Sequence, residues 1–186
     1  MGHFEPIGFA DKQGCSITLR AAAPDDAGKV LNYVFQILSM DPFMLTTPVE
    51  FKMTEEDERE WIGDTLKKEN DLILLAEDEH GEVAGLINLH GGHKRRMAHT
   101  GSFGISVRRD LRGRGIGKGM IQALLEWANR NRQFEKITLE VFSTNHAAIA
   151  LYRHMGFEQE SLQKRQIKLE DGEYVDLIGM GLFLKK

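Results

Sequence analysis

A single cysteine, Cys15, stands among the 186 residues. One thiol cannot close an internal disulfide, and it leaves no thiolate cluster for a metal. At the head of an alternating segment it reads as a small buried packing residue rather than a nucleophile. No run of the chain reaches the roughly 20 apolar residues that a helix needs to cross a bilayer. Met1 to Gly14 is polar, carries Glu5 and Asp11, and lacks the apolar core of a secretion signal. A cytoplasmic protein without a membrane partner is therefore expected. Low-complexity segments, internal repeats and interdomain linkers are absent as well. Excess positive charge is also missing: 24 Lys and Arg stand against 28 Asp and Glu, a net charge of −4. That balance excludes a broad nucleic-acid surface. With 41% hydrophobic and 28% charged residues, the remainder is an ordinary globular composition, long enough for one domain with a sizeable core. The expected organisation is an N-terminal extension over residues 1–14 and a single domain over residues 15–186.

Hydrophobic periodicity orders the elements. Ser16 to Arg20 alternates as a short strand. Pro24, Asp25 and Asp26 suit the first turn of a helix, whose apolar face is read as Val30, Leu31, Val34, Phe35 and Leu38. Asp41 to Met53, with Pro42 and Pro48, reads as an ordered loop over a site. Thr54 is a good N-cap for a second helix reaching to about Glu69, with Trp61, Ile62 and Leu66 inward. Asp71 to Glu77 and Glu82 to His90 are apolar strands joined by a turn at Glu79, His80 and Gly81. His99 to Val107 is a further strand, and Ile116, Met120, Leu124 and Trp127 recur at helical spacing after it. Ile137, Leu139 and Val141 alternate in the next strand, a short helix ends at Gly156, and Tyr174 to Leu184 closes the sheet. This order predicts an α/β protein in which helices cover both faces of one mixed, mostly antiparallel sheet.

The most informative stretch joins the strand ending at Val107 to the helix opening at Ile116. Arg112, Gly113, Arg114, Gly115, Ile116, Gly117, Lys118 and Gly119 place four glycines and three cations at a strand-to-helix turn. Glycine lets backbone approach a ligand without a Cβ, and the first turn of a helix offers free N–H groups and positive potential. An anion site follows. Two familiar phosphate loops fail on spacing. A Walker loop needs Gly where Arg112 stands and a hydroxyl where Gly119 stands. A dinucleotide fingerprint needs a third glycine where Lys118 or Met120 stands.

Arg112, Gly115 and Gly117 do match Arg-x-x-Gly-x-Gly, which resembles the cofactor motif of the Gcn5-related N-acetyltransferase (GNAT) superfamily. A second segment strengthens the resemblance. Asn145, Ala148-Ile149, Leu151-Tyr152 and Gly156-Phe157 recur as in that superfamily's later motif, one helix downstream of the loop. The likeness spans about residues 15 to 184. It implies a mostly antiparallel GNAT-type sheet, acetyl-CoA as co-substrate and no metal. It further implies that the backbone of Ile105, Ser106 and Val107 pairs with the pantetheine arm. The amides of Gly113, Gly115, Gly117, Lys118 and Gly119, following Ile116's turn, would hold the pyrophosphate, with Arg112, Arg114 and Lys118 adding charge. Asn145 would touch the cofactor or cap its helix, roles that do not exclude each other. Tyr152 would protonate the departing thiolate, as a phenol of ordinary pKa near 10 can at neutral pH.

Direct transfer of an acetyl group to an amine needs a neutral amine, a stabilised carbonyl oxygen, a protonated leaving thiolate and two aligned substrates. For the base, Glu77, His90, His99 and Glu140 stay open. The resemblance assigns acceptor-pocket walls to the two early helices and to Ile167 to Tyr174, with Phe43, Met44 and Leu45 as candidates. The expected activity is acetylation of a primary amine of a small molecule or a peptide N-terminus. A non-catalytic acyl-CoA sensor is the alternative, and a nucleotide hydrolase is disfavoured by the missing hydroxyl after Lys118. Dimers are frequent in the superfamily, and an apolar final strand could support one.

Overall fold

Leu72 to Ala76 is an unbroken apolar run in which every side chain is buried, the pattern of a strand covered on both faces. The computed structural model describes residues 4–185; Met1 to His3, the start of the expected extension, and Lys186 lie outside the described residues. The described residues form β1 (Ile7–Ala10), β2 (Ser16–Ala21), α1 (Ala27–Met40), α2 (Glu55–Leu66), β3 (Leu72–Glu77), β4 (Val83–Gly91), β5 (Thr100–Val107), α3 (Ile116–Arg130), β6 (Lys136–Phe142), α4 (His146–His154), β7 (Glu158–Lys168) and β8 (Tyr174–Phe183). One sheet runs in the order β1-β2-β3-β4-β5-β6-β8-β7. Only the β5–β6 pair is parallel. The mixed, mostly antiparallel sheet expected from the sequence is what forms.

Alternation on β3 divides the core. Ile73 and Leu75 meet Val30, Tyr33, Ile37 and Ile62 of α1 and α2 on one face. Leu72, Leu74 and Ala76 meet Ile116, Met120, Leu124 and Trp127 of α3 on the other. The start of α2 is fixed locally, because the Thr54 hydroxyl and the Asp57 carboxylate close a capping box, worth about 1 kcal/mol. Gly156 ends the α4 segment at φ +92°, a left-handed conformation that glycine alone adopts cheaply.

Four features differ from the sequence reading. Ile7–Ala10 of the extension pairs with β2 as an edge strand. The last strand, β8, sits between β6 and β7, so it is interior and offers no edge for a partner. Phe35 points outward at 54% exposure, and Tyr33 and Ile37 take the inward positions of α1. Cys15 is only partly buried, just ahead of β2.

Candidate active site

The parallel pair β5–β6 is short. Register holds only from Thr100 opposite Lys136 to Ser102 opposite Thr138, yet β5 continues to Val107 and β6 to Phe142. Each keeps its other neighbour over that length, so the two strands part and the sheet splits. Along a strand, backbone polar groups alternate in direction. The carbonyl of His99 accepts from Lys136, while the amide of Arg108 donates to Ala84 of the β4 side. Odd residues of β5 therefore turn their amides and carbonyls toward the split. Phe103, Ile105 and Val107 do so. Ser106 does not: its backbone belongs to the β4 side, and its hydroxyl lies 3.1 Å from the Tyr33 hydroxyl on the opposite face.

The glycine loop closes one end of the split. Gly113 and Gly115 hold φ of +76° and +92°, so a Cβ at either would strain the backbone. The amides of residues 113–118 donate to no protein acceptor among the described residues. That is a run of free N–H groups at the positive end of a 15-residue helix, the arrangement that an anion satisfies. Ile116 is buried beneath them and anchors the turn to the core. A Cβ at Gly117 would stand 3.6 Å from both Leu151 Cδ2 and Val107 Cγ2, so the loop, the end of β5 and α4 converge there.

Gly119 departs from expectation. Its amide already donates to the Gly115 carbonyl at 3.0 Å and is not free for a phosphate. Its missing side chain serves Phe9, whose Cζ would lie 2.8 Å from a Cβ there. The arginines are also engaged. Arg112 donates to the Val107 carbonyl and pairs with Asp41, while Arg114 faces Asp11 at 3.7 Å. Lys118 Nζ is 3.2 Å from His154 Nε2 of α4. Asn145 caps α4 through its side-chain oxygen, which accepts from Ala148 at 3.2 Å.

Tyr152 projects from α4 beneath the split. Its ring meets Phe103 edge-on at 6.0 Å and Phe157 at 6.1 Å. The residue is buried, 7% exposed, but its oxygen is not among the fully buried side-chain atoms that lack a hydrogen bond in the described residues. Burial pushes the phenol up to about 12. Tyr33 is also raised to about 12, mainly by burial, against the opposing Ser106 hydrogen bond. In an unfolded chain a phenol titrates near 10, so both favour the fold fully below that pH and lose their contribution as pH rises towards 12. Urea unfolding at pH 8, 10 and 11.5 checks this. The midpoint should fall more steeply above pH 10 than in a Tyr33→Phe, Tyr152→Phe double variant.

On the α1–α2 face the connection after α1 crosses the split. Asp41 is tied to Arg112, and Phe43 meets Phe142 at the end of β6, ring centroids 6.2 Å apart and nearly perpendicular. Val175 and Leu177 of β8 complete this cluster, with Ile167 and Leu169 packed against it. Of the other candidate wall residues, Met44 packs on the α1–α2 core and Leu45 is 63% exposed.

The four base candidates separate. Glu77 is held by Arg20 at 2.6 Å in a network with Asp26, and the Arg20 hydrogen bond keeps the Asp26 carboxyl below its ordinary range. His99 is exposed in the turn just ahead of β5. Glu140 accepts from Gln163 of β7, turned away from the split. His90 is different. Its Nδ1 lies 3.1 Å from buried Asp71 Oδ2, its Nε2 2.9 Å from Asn88 Nδ2, and its ring 6.4 Å from that of Trp61 on α2. Burial opposes the charge on Asp71, but the bonds from His90 and the Gly91 amide outweigh it and hold the carboxyl below its usual range. Asn88 sits opposite Gly104, just where the split begins. Phe103, Tyr33 and Asp71 were not singled out from sequence, since their importance depends on contacts between distant segments.

The family model of the acetyltransferase (GNAT) family matches residues 31–157. The chain belongs to this family and is an acetyl-CoA-dependent N-acetyltransferase. It is similar to the SPbeta prophage-derived uncharacterized N-acetyltransferase YokL of Bacillus subtilis, 27% identical over 91% of this chain and 90% of that protein. It also resembles an L-methionine sulfoximine/L-methionine sulfone acetyltransferase of Pseudomonas aeruginosa, 33% identical over 65% of this chain and 70% of that protein. Among solved structures, a GNAT-family acetyltransferase from Streptococcus pneumoniae superposes with a TM-score of 0.86 at 25% identity, covering 90% of this chain and 99% of that one.

Proposed function

We propose that the chain acetylates the α-amino group of a free amino acid carrying a methionine-sized side chain, by direct transfer from acetyl-CoA in the cytoplasm. The observation that carries the donor half is the run of unpaired amides at residues 113–118 beside the split. The loop binds the pyrophosphate, and the open edge of Phe103, Ile105 and Val107 pairs with the pantetheine amides. Tyr152 protonates the leaving thiolate. The acceptor half is supported by the apolar wall of Phe43, Phe142 and Leu177, which suits an uncharged side chain, and by the acceptors named for the Pseudomonas relative. His90 takes the ammonium proton. Asp71 accepts from Nδ1–H, which fixes the tautomer and leaves the Nε2 lone pair, now shared with Asn88 Nδ2–H, to meet the incoming amine.

Release of CoA thiol across a panel of free amino acids, peptide N-termini and polyamines tests this. kcat/KM for methionine-like amino acids should exceed that for glycine by about 10-fold or more, the gain from one well-placed apolar contact. His90→Gln should lower kcat by on the order of 10²-fold. Acetyl-CoA binding with no turnover on any amine would instead define an acyl-CoA sensor.

A further inference from the structure

The hairpin formed by β1 and β2 ends against the glycine loop. The Lys12 amide donates to the Arg114 carbonyl at 2.9 Å. The Lys12 stem lies over Gly115, with Cγ 3.7 Å and Cε 3.9 Å from where a Cβ would be. Asp11 fixes the turn, its Oδ1 accepting from the amides of Gln13 and Cys15 at 2.8 and 3.0 Å. Its other oxygen, fully buried and without a hydrogen bond, faces Arg114. Phe9 locks the first strand of the hairpin into the space left by Gly119. The hairpin is therefore tied to the loop and the first turn of α3 at three residues, Phe9, Asp11 and Lys12.

Charge around the loop is unevenly available. Arg112 is paired with Asp41 and Arg114 with Asp11. Lys12 is exposed, and no carboxylate pairs with it among the described residues. Its ammonium lies one bond beyond Cε, beside the αL residue that opens α3 and next to the run of free amides.

Resting on the acetyl-CoA reading above, we propose that Lys12 is a binding residue for the pyrophosphate of the cofactor. The N-terminal hairpin thus supplies an exposed cation without a carboxylate partner among the described residues, which the loop's own arginines, held by carboxylates, do not. The contact is between an ammonium and a diphosphate diester, so it weakens with salt and leaves the thioester end untouched.

Calorimetry on the full chain tests the assignment with CoA, dephospho-CoA and pantetheine as probes. Lys12→Ala should weaken CoA roughly 5-fold at low salt, and the difference should shrink at high salt. The same loss should appear with dephospho-CoA, which keeps the pyrophosphate, and none with pantetheine, which lacks it. Lys12→Arg should retain most of the affinity, and an unchanged melting temperature would show that the exposed substitution spares the fold. Equal CoA affinity in folded Lys12→Ala would overturn the inference while leaving the cofactor reading intact. A loss confined to CoA and absent with dephospho-CoA would also overturn it, since Lys12 would then meet the 3′-phosphate. A wild-type chain that binds no CoA would overturn the cofactor reading itself.

Discussion

Tyr152→Phe should lower kcat by on the order of 10²-fold, the lower end for a positioned general acid, with acetyl-CoA affinity nearly unchanged. The substitution removes one oxygen and keeps the ring that packs edge-on against Phe103 and Phe157. No protein hydrogen bond is lost with it, so the fold should be as stable as the parent at neutral pH. The phenol, pushed up to about 12 by burial, stays protonated throughout the working range. An acid that never titrates there contributes no alkaline limb, so the shape of the pH–rate profile should survive the substitution while its height falls. Pre-steady-state measurement of the acetyl-transfer step is the proper check, because slow product release would mask a loss in chemistry. A loss that appears only as a raised KM would make Tyr152 a binding residue. An undiminished rate would leave water as the proton donor and the tyrosine as part of the core.

Legibility tracked the range of the forces involved. The stripe of Ile116, Met120, Leu124 and Trp127 is a local periodicity, and the helix it predicts packs as that stripe requires. The capping box at Thr54 and Asp57 and the left-handed Gly156 are equally local. The inward face of α1 was not so clear. Several apolar residues fit more than one face, and Tyr33, rather than Phe35, packs into the core against Ile73 and Leu75 and meets the hydroxyl of Ser106, 73 residues away in sequence. Strand β1 has only four residues and a mostly exposed pattern. It forms because β2 pairs with it and Phe9 has a glycine to rest on.

At the site the same division holds. The glycines, Tyr152 and Asn145 sit in sequence motifs and came to light there. Their partners did not, because Asp41 lies 71 residues from Arg112 and Asp71 lies 19 from His90. The direction of the Ser106 amide needed the register of β5 against both neighbours, which no spacing within β5 contains.

That register also gives the second large effect its direction. Gly117→Val should raise the Kd for acetyl-CoA by roughly 10- to 100-fold, equivalent to about 1.4–2.8 kcal/mol. Unlike Gly113 and Gly115, Gly117 does not occupy the left-handed region, so a side chain imposes no backbone strain. Replacing glycine inside a helix should if anything favour the helix slightly. The first carbon has room, since its nearest neighbours would be Leu151 Cδ2 and Val107 Cγ2 at 3.6 Å and Ile105 Cδ1 at 3.9 Å, ordinary contact distances. The two further methyl groups have nowhere to go but the seam between β5 and α4, where the pantetheine thread is proposed to pass. Gly117→Ala should therefore cost only a few-fold, and the step from alanine to valine should carry most of the loss. Calorimetric titration of both variants, with melting temperatures within a few degrees of the parent, separates obstruction from unfolding. If folded Gly117→Val binds acetyl-CoA as tightly as the parent, the thread does not run through this seam, and the open edge of β5 must serve another purpose.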